Sequence, residues 1–263
     1  MKLYILGTAN GNYNKDCYNT CFCVCHNHQH FLVDGGGGNQ ILGRLEQAGI
    51  KLTDIHDIFI SHNHPDHIVG IIWVLKKICG AIRKGKYQGD CRVYASDVTI
   101  STIKTIRDLL FDAKNILPSV KFITVKNDEI INICGGMSVR FFDTYATKQK
   151  QFGFVLNNNH FVFCGDEPLC KENFSKVNYC SWLFHNAFCL DEDAEKYQVH
   201  NMCHSTVGEA STTAQQINAK NLILCHTETD TLNSRKEKYE ENAKLYFNGN
   251  VFVPDDLEII DLG

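Results

Sequence analysis

Four side chains that commonly bind metal ions lie close together in the sequence, at His62, His64, Asp66 and His67. Imidazole nitrogens and carboxylate oxygens are good Zn²⁺ ligands, with bonds of about 2.0–2.2 Å. The cluster follows an apolar run that is typical of a buried strand. Residues two apart there point the same way, and Asp66 and His67, at a helix start, can turn toward a second position. A polar helix start with solvated histidines is the alternative, but three histidines and an aspartate at this spacing favour a metal site.

Three further polar residues stand where other buried strands are predicted to end. Asp166, His185 and His226 each follow a short apolar run, directly or after one glycine. In layered α/β folds, ligand sites collect at strand ends, where the loops leave the sheet together. Taken alone, Asp166 could be a turn residue and His226 a core or capping histidine. Their position relative to the histidine cluster predicts one convergent site.

These motifs resemble those of a known superfamily. The cluster is similar to the HxHxDH signature of the metallo-β-lactamase superfamily, and residues 32–36 match the strand and turn that precede it. Residues 183–188 are similar to the "HEA" segment of the ribonuclease Z group, and His204-Ser205-Thr206 is similar to its "HST" segment. Phosphodiesterases of the PhnP type share this pattern. The resemblance implies an α/β fold, the αββα sandwich, with two mixed β-sheets packed face to face and helices outside.

The resemblance also implies a set of site residues. One metal ion would be held by His62, His64 and Asp166, and a second by Asp66, His67, Asp166 and His226. Such a pair of ions shares a hydroxide nucleophile and clamps the oxygens of the scissile group. His204 would face the substrate, stabilising charge or protonating the leaving oxygen. The catalytic candidates are therefore Asp66, His204 and His185, and Asp34 is a candidate partner for a metal-binding histidine.

The match departs from the family pattern in two ligand-related positions. Thr147 stands where the ribonuclease Z pattern has a third histidine for the first ion, and neutral threonine is a poor Zn²⁺ ligand. The first site is therefore expected to be weak or incomplete, with Asp143 or, more remotely, Cys164 as a substitute ligand. Asn186 replaces the glutamate of the "HEA" segment, and an amide would orient His204 less strongly than a carboxylate.

Other features narrow the substrate and the setting. Residues 147–166 leave no room for the long arm with which bacterial ribonuclease Z enzymes grip tRNA, and the net charge is −4. Both observations disfavour tRNA as the substrate. The absence of a signal peptide and of a long apolar run predicts no membrane association and a cytoplasmic location with reduced cysteines. The Cys/His-rich stretch 17–30 could hold another metal, although buried thiols in a strand explain it better. The sequence leaves the oligomeric state open, with a homodimer as one option.

The sequence thus predicts a single domain over residues 1–263, with strands alternating with helices that include one over 97–112. The expected activity is hydrolysis of a small phosphodiester, cyclic or nucleotide-like, with two divalent ions. Zinc is the default for His/Asp sites, and manganese or iron would suit the same ligands. Two alternatives stay open. One is hydrolysis of a lactone- or thioester-type carbonyl substrate, and the other is a catalytically impaired binding protein on the same fold.

Overall fold

Two seven-stranded sheets form the centre of the computed structural model, which describes residues 1–110 and 119–263. In the first sheet the strands run in the order β14-β1-β2-β3-β4-β5-β6. The pairs from β14 to β3 are antiparallel and those from β3 to β6 are parallel, so the sheet is mixed. Its strands are β1 (Lys2–Gly7), β2 (Cys21–His26), β3 (Gln29–Val33), β4 (Ile55–Phe59), β5 (Cys91–Ala95), β6 (Val120–Thr124) and β14 (Ile259–Asp261).

The second sheet repeats this plan in the order β13-β12-β11-β10-β9-β8-β7. Here the pairs from β7 to β10 are antiparallel and those from β10 to β13 are parallel. Its strands are β7 (Ile130–Asn132), β8 (Ser138–Asp143), β9 (Phe152–Leu156), β10 (Phe161–Phe163), β11 (Trp182–Asn186), β12 (Asn221–Cys225) and β13 (Asn250–Phe252).

A phenylalanine-rich core joins the inner faces of the two sheets. Phe22 of the first sheet packs on Phe163 and Phe184 of the second, with ring centroids 5.1 and 4.6 Å apart. Strand alternation places these apolar side chains on one face and leaves the other face for helices. The helices of the described chain are α1 (Gln40–Gln47), α2 (Pro65–Arg83), α3 (Asp97–Leu110), α4 (Phe174–Val177), α5 (Ala194–Tyr197), α6 (Val207–Gln216) and α7 (Arg235–Lys244).

These helices cover the outer faces of the sandwich. Apolar side chains of α1, α2 and α3 pack on the first sheet, and those of α6 and α7 pack on the second. The predicted αββα sandwich is confirmed. The last two residues of the helix predicted over 97–112 lie outside the described residues. Within the described ranges, no helix combines the length and the apolar character that crossing a membrane would require.

A close approach of two glycines fixes the helix that carries the histidine cluster. A Cβ atom on Gly70 of α2 would lie 1.8 Å from the carbonyl oxygen of Gly35, in the turn after β3. The main-chain N–H of Gly70 donates to the carbonyl of Gly36, at 2.8 Å. Gly36 itself has a φ of +69°, a conformation that favours glycine. The turn after β3 therefore locks the start of α2 against the first sheet.

Candidate metal centre

The predicted ligand residues meet at one edge of the sandwich, at the ends of strands from both sheets. His62 and His64 lie between β4 and α2, and Pro65 is the first residue of α2. Asp166 follows β10, and His226 follows β12. Proline fits a helix start because the N–H that it lacks would have no helical partner there. The strand ends thus bring residues from distant parts of the chain into one cluster.

Four residues form the larger of two ligand groups: Asp66, His67, Asp166 and His226. Asp66 Oδ2 lies 3.3 Å from His67 Nε2 and 3.5 Å from His226 Nε2. Asp166 Oδ2 lies 2.9 and 3.0 Å from the same two nitrogens. Ligand atoms bound at about 2.0–2.2 Å to a tetrahedral ion stand about 3.3–3.6 Å apart, so this spacing is near what one ion requires.

The two histidine nitrogens of this group face its carboxylates but form no hydrogen bond of regular geometry with the described residues. Nε2 of His67 and Nε2 of His226 are buried and have no hydrogen-bond partner among the described residues. A buried polar atom without a partner costs free energy, so such atoms are uncommon unless an ion or a ligand satisfies them. The residues therefore fit a bound divalent ion.

The second, smaller group consists of His62, His64 and Asp166. His62 Nε2 lies 3.6 Å from Asp166 Oδ2 and 2.8 Å from His64 Nδ1. Asp166 belongs to both groups and is almost fully buried. The smaller group has one residue fewer than the larger one and contains a single carboxylate, which it shares.

The electrostatics of the larger group favour a cation. Burial alone would raise the pKa of Asp166, but the charges of His226 and His67 hold it well below its usual range. Burial alone would lower the pKa of His226, yet the nearby carboxylates, Asp166 first, raise it to about 9. The pKa of His67 is raised well above normal for the same reason. Protons thus occupy positions where the carboxylates attract positive charge, and a metal ion would displace them.

Asp34 orients a histidine in each group. Its Oδ2 atom accepts a hydrogen bond from His67 Nδ1 at 2.8 Å and one from the Ser61 hydroxyl at 2.7 Å. That hydroxyl in turn lies 2.9 Å from His62 Nδ1. With their Nδ1 protons committed in this way, both rings turn an Nε2 lone pair to the centre. The predicted contact of Asp34 with a cluster histidine is confirmed.

His204 lies against the same centre. Its Nδ1 atom is 3.0 Å from the main-chain oxygen of Asp166, and its ring stacks on Phe188 with centroids 5.2 Å apart. Burial and then the charge of His226 lower the pKa of His204 to about 4. Because Nδ1 is engaged by the protein, Nε2 is the nitrogen that remains for a substrate.

Asn186 bridges the two histidines at the end of β11. Its Nδ2 atom lies 3.2 Å from His204 Nδ1 and 3.1 Å from His226 Nδ1, and its Oδ1 accepts from the main-chain N–H of Ser205 at 3.0 Å. A main-chain N–H can only donate, so Oδ1 must face Ser205 and the amide nitrogen must face the histidines. The amide nitrogen therefore faces both rings, but it cannot donate to His204 Nδ1 while that nitrogen donates to the main-chain oxygen of Asp166.

The centre opens into a pocket of about 190 Å³. Besides ligand-type residues, His204 and Phe188, which ends the segment 183–188, it is lined by residues that the sequence patterns did not indicate: Asn10, Gly11, Asn12 and Met202. The first three belong to the loop between β1 and β2, which the main-chain bond from Asn10 N–H to Thr227 O, at 3.0 Å, ties to the residue after His226. Only their position directly after a predicted strand could have indicated them.

Several predicted residues lie outside both ligand groups. The hydroxyl and N–H of Thr147 both donate to Glu167 Oε2, while Asp143 Oδ1 accepts from the N–H of Tyr145 within its own turn. Cys164 is fully buried in the core beneath the outer face of the second sheet. Neither Thr147 nor Asp143 nor Cys164 therefore completes the smaller group, which keeps three residues within the described chain.

His185 also lies away from the centre. Its Nδ1 donates to the carbonyl of Asn186 at 2.7 Å, and its Nε2 accepts from the N–H of Leu169 at 3.2 Å. The ring is fully buried, and burial lowers its pKa. Because β-strand side chains alternate, the face that presents Asn186 to the centre turns His185 to the other side. The structure thus places this predicted catalytic residue in a structural position.

The Cys/His-rich stretch 17–30 forms no comparable group within the described residues. Cys21 and Cys23 are fully buried, and Cys25 is half-buried. The three cysteines alternate along β2 with Phe22 and Val24, and Cys21 and Cys23 pack as small apolar side chains.

The fold and the paired ligand groups define a metal-dependent hydrolase of the metallo-β-lactamase fold. A family model described as "Anti-Pycsar protein Apyc1" matches residues 1–252, and the chain belongs to that family. It is 25% identical over 261 residues to a protein named ribonuclease Z from Pyrobaculum neutrophilum, covering 88% of this chain and 87% of the relative.

Solved structures agree on the fold. The metallo-β-lactamase fold protein YhfI from Bacillus subtilis superposes with a TM-score of 0.80 at 17% identity, covering 98% of each chain. The short form of human tRNase Z superposes with a TM-score of 0.76 at 19% identity, covering 100% of each chain. The predicted ribonuclease Z-like, phosphodiesterase branch of the superfamily is confirmed, and the protein uses a divalent metal.

Proposed function

We propose that this protein hydrolyses a small phosphodiester, cyclic or nucleotide-like, with one divalent ion at each of the two ligand groups. The observation that carries the proposal is the convergence of both groups on Asp166, with His204 in the same pocket. The donor set of imidazoles and carboxylates suits zinc first, and manganese or iron as well. Both sheets contribute residues to the centre, which supports treating residues 1–263 as one domain.

When bound, a pair of divalent ions would polarise the phosphodiester and supply an activated water. The residues of the chain would do the rest. Asp66 and Asp166 would stay ionised at neutral pH, because the pKa of each is held far below its usual value by neighbouring histidines. His204, fixed through Nδ1 and by Phe188, would present Nε2 to the leaving oxygen and relay a proton to it from water. At neutral pH its pKa of about 4 keeps the ring uncharged, with its own hydrogen on Nδ1.

The size of the pocket supports a small substrate. A volume of about 190 Å³ admits a phosphodiester and a small part of the groups that it joins, less than the roughly 300–1,000 Å³ of sites that enclose a drug-sized ligand. The short segment between Asp143 and Asp166 provides no extended arm for a folded RNA. The formal net charge of −4 also disfavours a polyanionic partner.

The names of the relatives favour a second candidate, the processing of tRNA. Proteins called ribonuclease Z match most of this chain at low identity, so a tRNA precursor belongs in the test. The decisive assay compares metal-loaded protein on bis-p-nitrophenyl phosphate, on cyclic mononucleotides with purine and pyrimidine bases, and on a 3′-extended tRNA precursor. A lactone and a thioester complete the panel and test the carbonyl alternative.

We expect the phosphodiesters, and the cyclic mononucleotides above all, to be the best substrates. His204→Ala should lower their turnover by about 10²–10⁴-fold, the range that general acid–base catalysis contributes. Hydrolysis of the tRNA precursor alone would replace our first candidate with the second. If no phosphodiester is cleaved while the carbonyl substrates are, the proposal fails.

Metal analysis tests the alternative of an impaired binding protein. Protein purified without added metal should contain close to two divalent ions per chain, and elemental analysis would identify them. One ion or none, together with inactivity on the whole panel, would favour a binding role.

A further inference from the structure

The segment between β8 and β9, residues 144–151, carries the position where the family pattern has a histidine ligand. In this protein, a buried carboxylate holds the main chain of this segment in place. Glu167, which follows Asp166, accepts the N–H of Thr147 at 2.9 Å and the N–H of Lys148 at 3.3 Å. Glu167 is only 7% exposed, so both of its oxygens serve the segment and little else. These hydrogen bonds, called the Glu167 clamp below, tie the segment to the neighbour of Asp166, the residue that both ligand groups share.

Thr147, which Glu167 holds, also contacts the residue before His204. The Thr147 hydroxyl donates to Glu167 and lies 3.3 Å from Cys203 Sγ, so the thiol is the donor of that second contact. Cys203 directly precedes His204 in the chain. The main chain at Lys148 is thus fixed between the neighbours of Asp166 and His204.

Lys148 brings an unneutralised positive charge to this place. Across residues 1–110 and 119–263, its ammonium group makes no ion pair. Lys150, two positions further along, lies 3.5 Å from Asp97 and over the ring of Phe152. Lys148 is exposed at the border of the pocket, because its main chain is held by the residue after Asp166, its neighbour Thr147 contacts the residue before His204, and both Asp166 and His204 line the pocket. A cation held near the centre without a carboxylate partner is available to an anionic ligand.

We propose that Lys148 is a substrate-binding residue whose ammonium group contacts the non-bridging oxygens of the substrate phosphate. This inference rests on the proposed function, since it takes a phosphodiester as the substrate. Phosphoryl transfer is stabilised by cations placed where charge accumulates, and lysine acts there as a point charge. The Glu167 clamp positions the main chain, so that only the flexible side chain must be ordered on binding.

The test compares three variants of the metal-loaded protein. Lys148→Gln removes the charge, Lys148→Arg keeps it, and Lys150→Gln removes one charge from the same segment as a matched control. With bis-p-nitrophenyl phosphate as substrate, Lys148→Gln should lower kcat/KM about tenfold, at the low end of the effect of a focused charge. Lys148→Arg should restore most of the loss, and Lys150→Gln should change kcat/KM less than about twofold. The deficit of Lys148→Gln should shrink at high salt, where exposed charges are screened.

Binding of inorganic phosphate, measured by calorimetry, provides a readout that does not depend on turnover. Its Kd should rise about tenfold in Lys148→Gln and stay unchanged in Lys150→Gln, with equal metal content and melting temperature in all variants. Equal effects of the two glutamine substitutions, or none, would overturn the inference. If the wild type cleaves no phosphodiester but Lys148→Gln still binds phosphate more weakly, the proposed function fails while the anion contact stands.

Discussion

Replacing Asn186 with aspartate should strengthen metal binding at the larger ligand group. The amide nitrogen of Asn186 lies 3.1 Å from Nδ1 of His226. When a histidine binds a metal through Nε2, its Nδ1 carries a proton and needs an acceptor. The amide cannot rotate to offer its oxygen, because the N–H of Ser205 already requires that oxygen. A metal-bound His226 therefore faces a donor where it needs an acceptor, and a carboxylate of the same shape would remove this conflict.

The size of the effect follows from the number of bonds gained. A carboxylate at position 186 would keep the bond from Ser205 and accept the Nδ1 proton of His226, a charge-assisted bond that contributes about 1.5–3 kcal/mol. Asn186 is fully buried, so desolvation of the new charge offsets part of this gain. A net gain of about 1.4 kcal/mol corresponds to a tenfold lower Kd. We therefore expect Asn186→Asp to tighten the stronger metal site about tenfold.

The assay is a competition titration of zinc against a chromogenic chelator, with metal-free wild type and variant at the same pH. Asn157→Asp is the matched control: it adds the same charge in a turn, where Oδ1 needs only to accept the N–H of Ser138 at 2.9 Å. This control should leave the zinc affinity unchanged. An unchanged or weaker zinc affinity in Asn186→Asp, in protein that melts as a folded domain, would refute the hydrogen-bond argument.

Three further predictions concern the shared carboxylate Asp166, the histidine partner Asp34 and the close contact of Gly70 in α2. Asp166→Asn should remove both ions, whereas His62→Ala should leave one ion per chain, as measured by elemental analysis. Asp34→Asn should weaken zinc binding about 10–100-fold, the usual effect of losing a partner of a metal-bound histidine, in the same chelator assay. Gly70→Ala should destabilise the protein by about 1–3 kcal/mol, because its Cβ would lie 1.8 Å from a main-chain oxygen. Gly80→Ala, in the same helix with nothing within 4 Å, should raise the melting temperature instead, and similar melting temperatures for both would contradict this reading.

The fold and much of the centre could be predicted because their signals are local in the sequence. The apolar run before His62 and the proline at the start of α2 together define a strand end, a ligand loop and a helix. Asp166 and His226 could be added because strand ends converge in a layered α/β fold. Asp34, in the turn that precedes the cluster in the superfamily pattern, is a candidate partner because metal-binding histidines commonly bond a carboxylate through their other nitrogen.

The sequence could not predict which of two neighbouring strand residues faces the metal centre, because this depends on the direction of single side chains. His185 and Asn186 are neighbours on β11, and the alternation of the strand gives the centre to one and the core to the other. The sequence shows that a buried strand ends there, but a shift of one residue exchanges the two roles. The loop at Asn10, likewise, reaches the pocket through a main-chain bond to Thr227, and such a bond leaves no mark on residue types.

The segment at Thr147 shows why a missing ligand does not by itself indicate a lost function. A histidine at this place would hold an ion that attracts the phosphate, whereas a clamped segment with a free lysine would attract the phosphate directly. The smaller group keeps only two histidines and a shared carboxylate, so it can offset less of the charge of a divalent ion than the larger group, which adds Asp66. On our proposals, the ion in the smaller group is the more weakly held of the two, and Lys148 supplies part of the positive charge that a stronger site would have contributed. The unequal ligand groups and the unpaired lysine then have one explanation, which is a phosphate that binds between them.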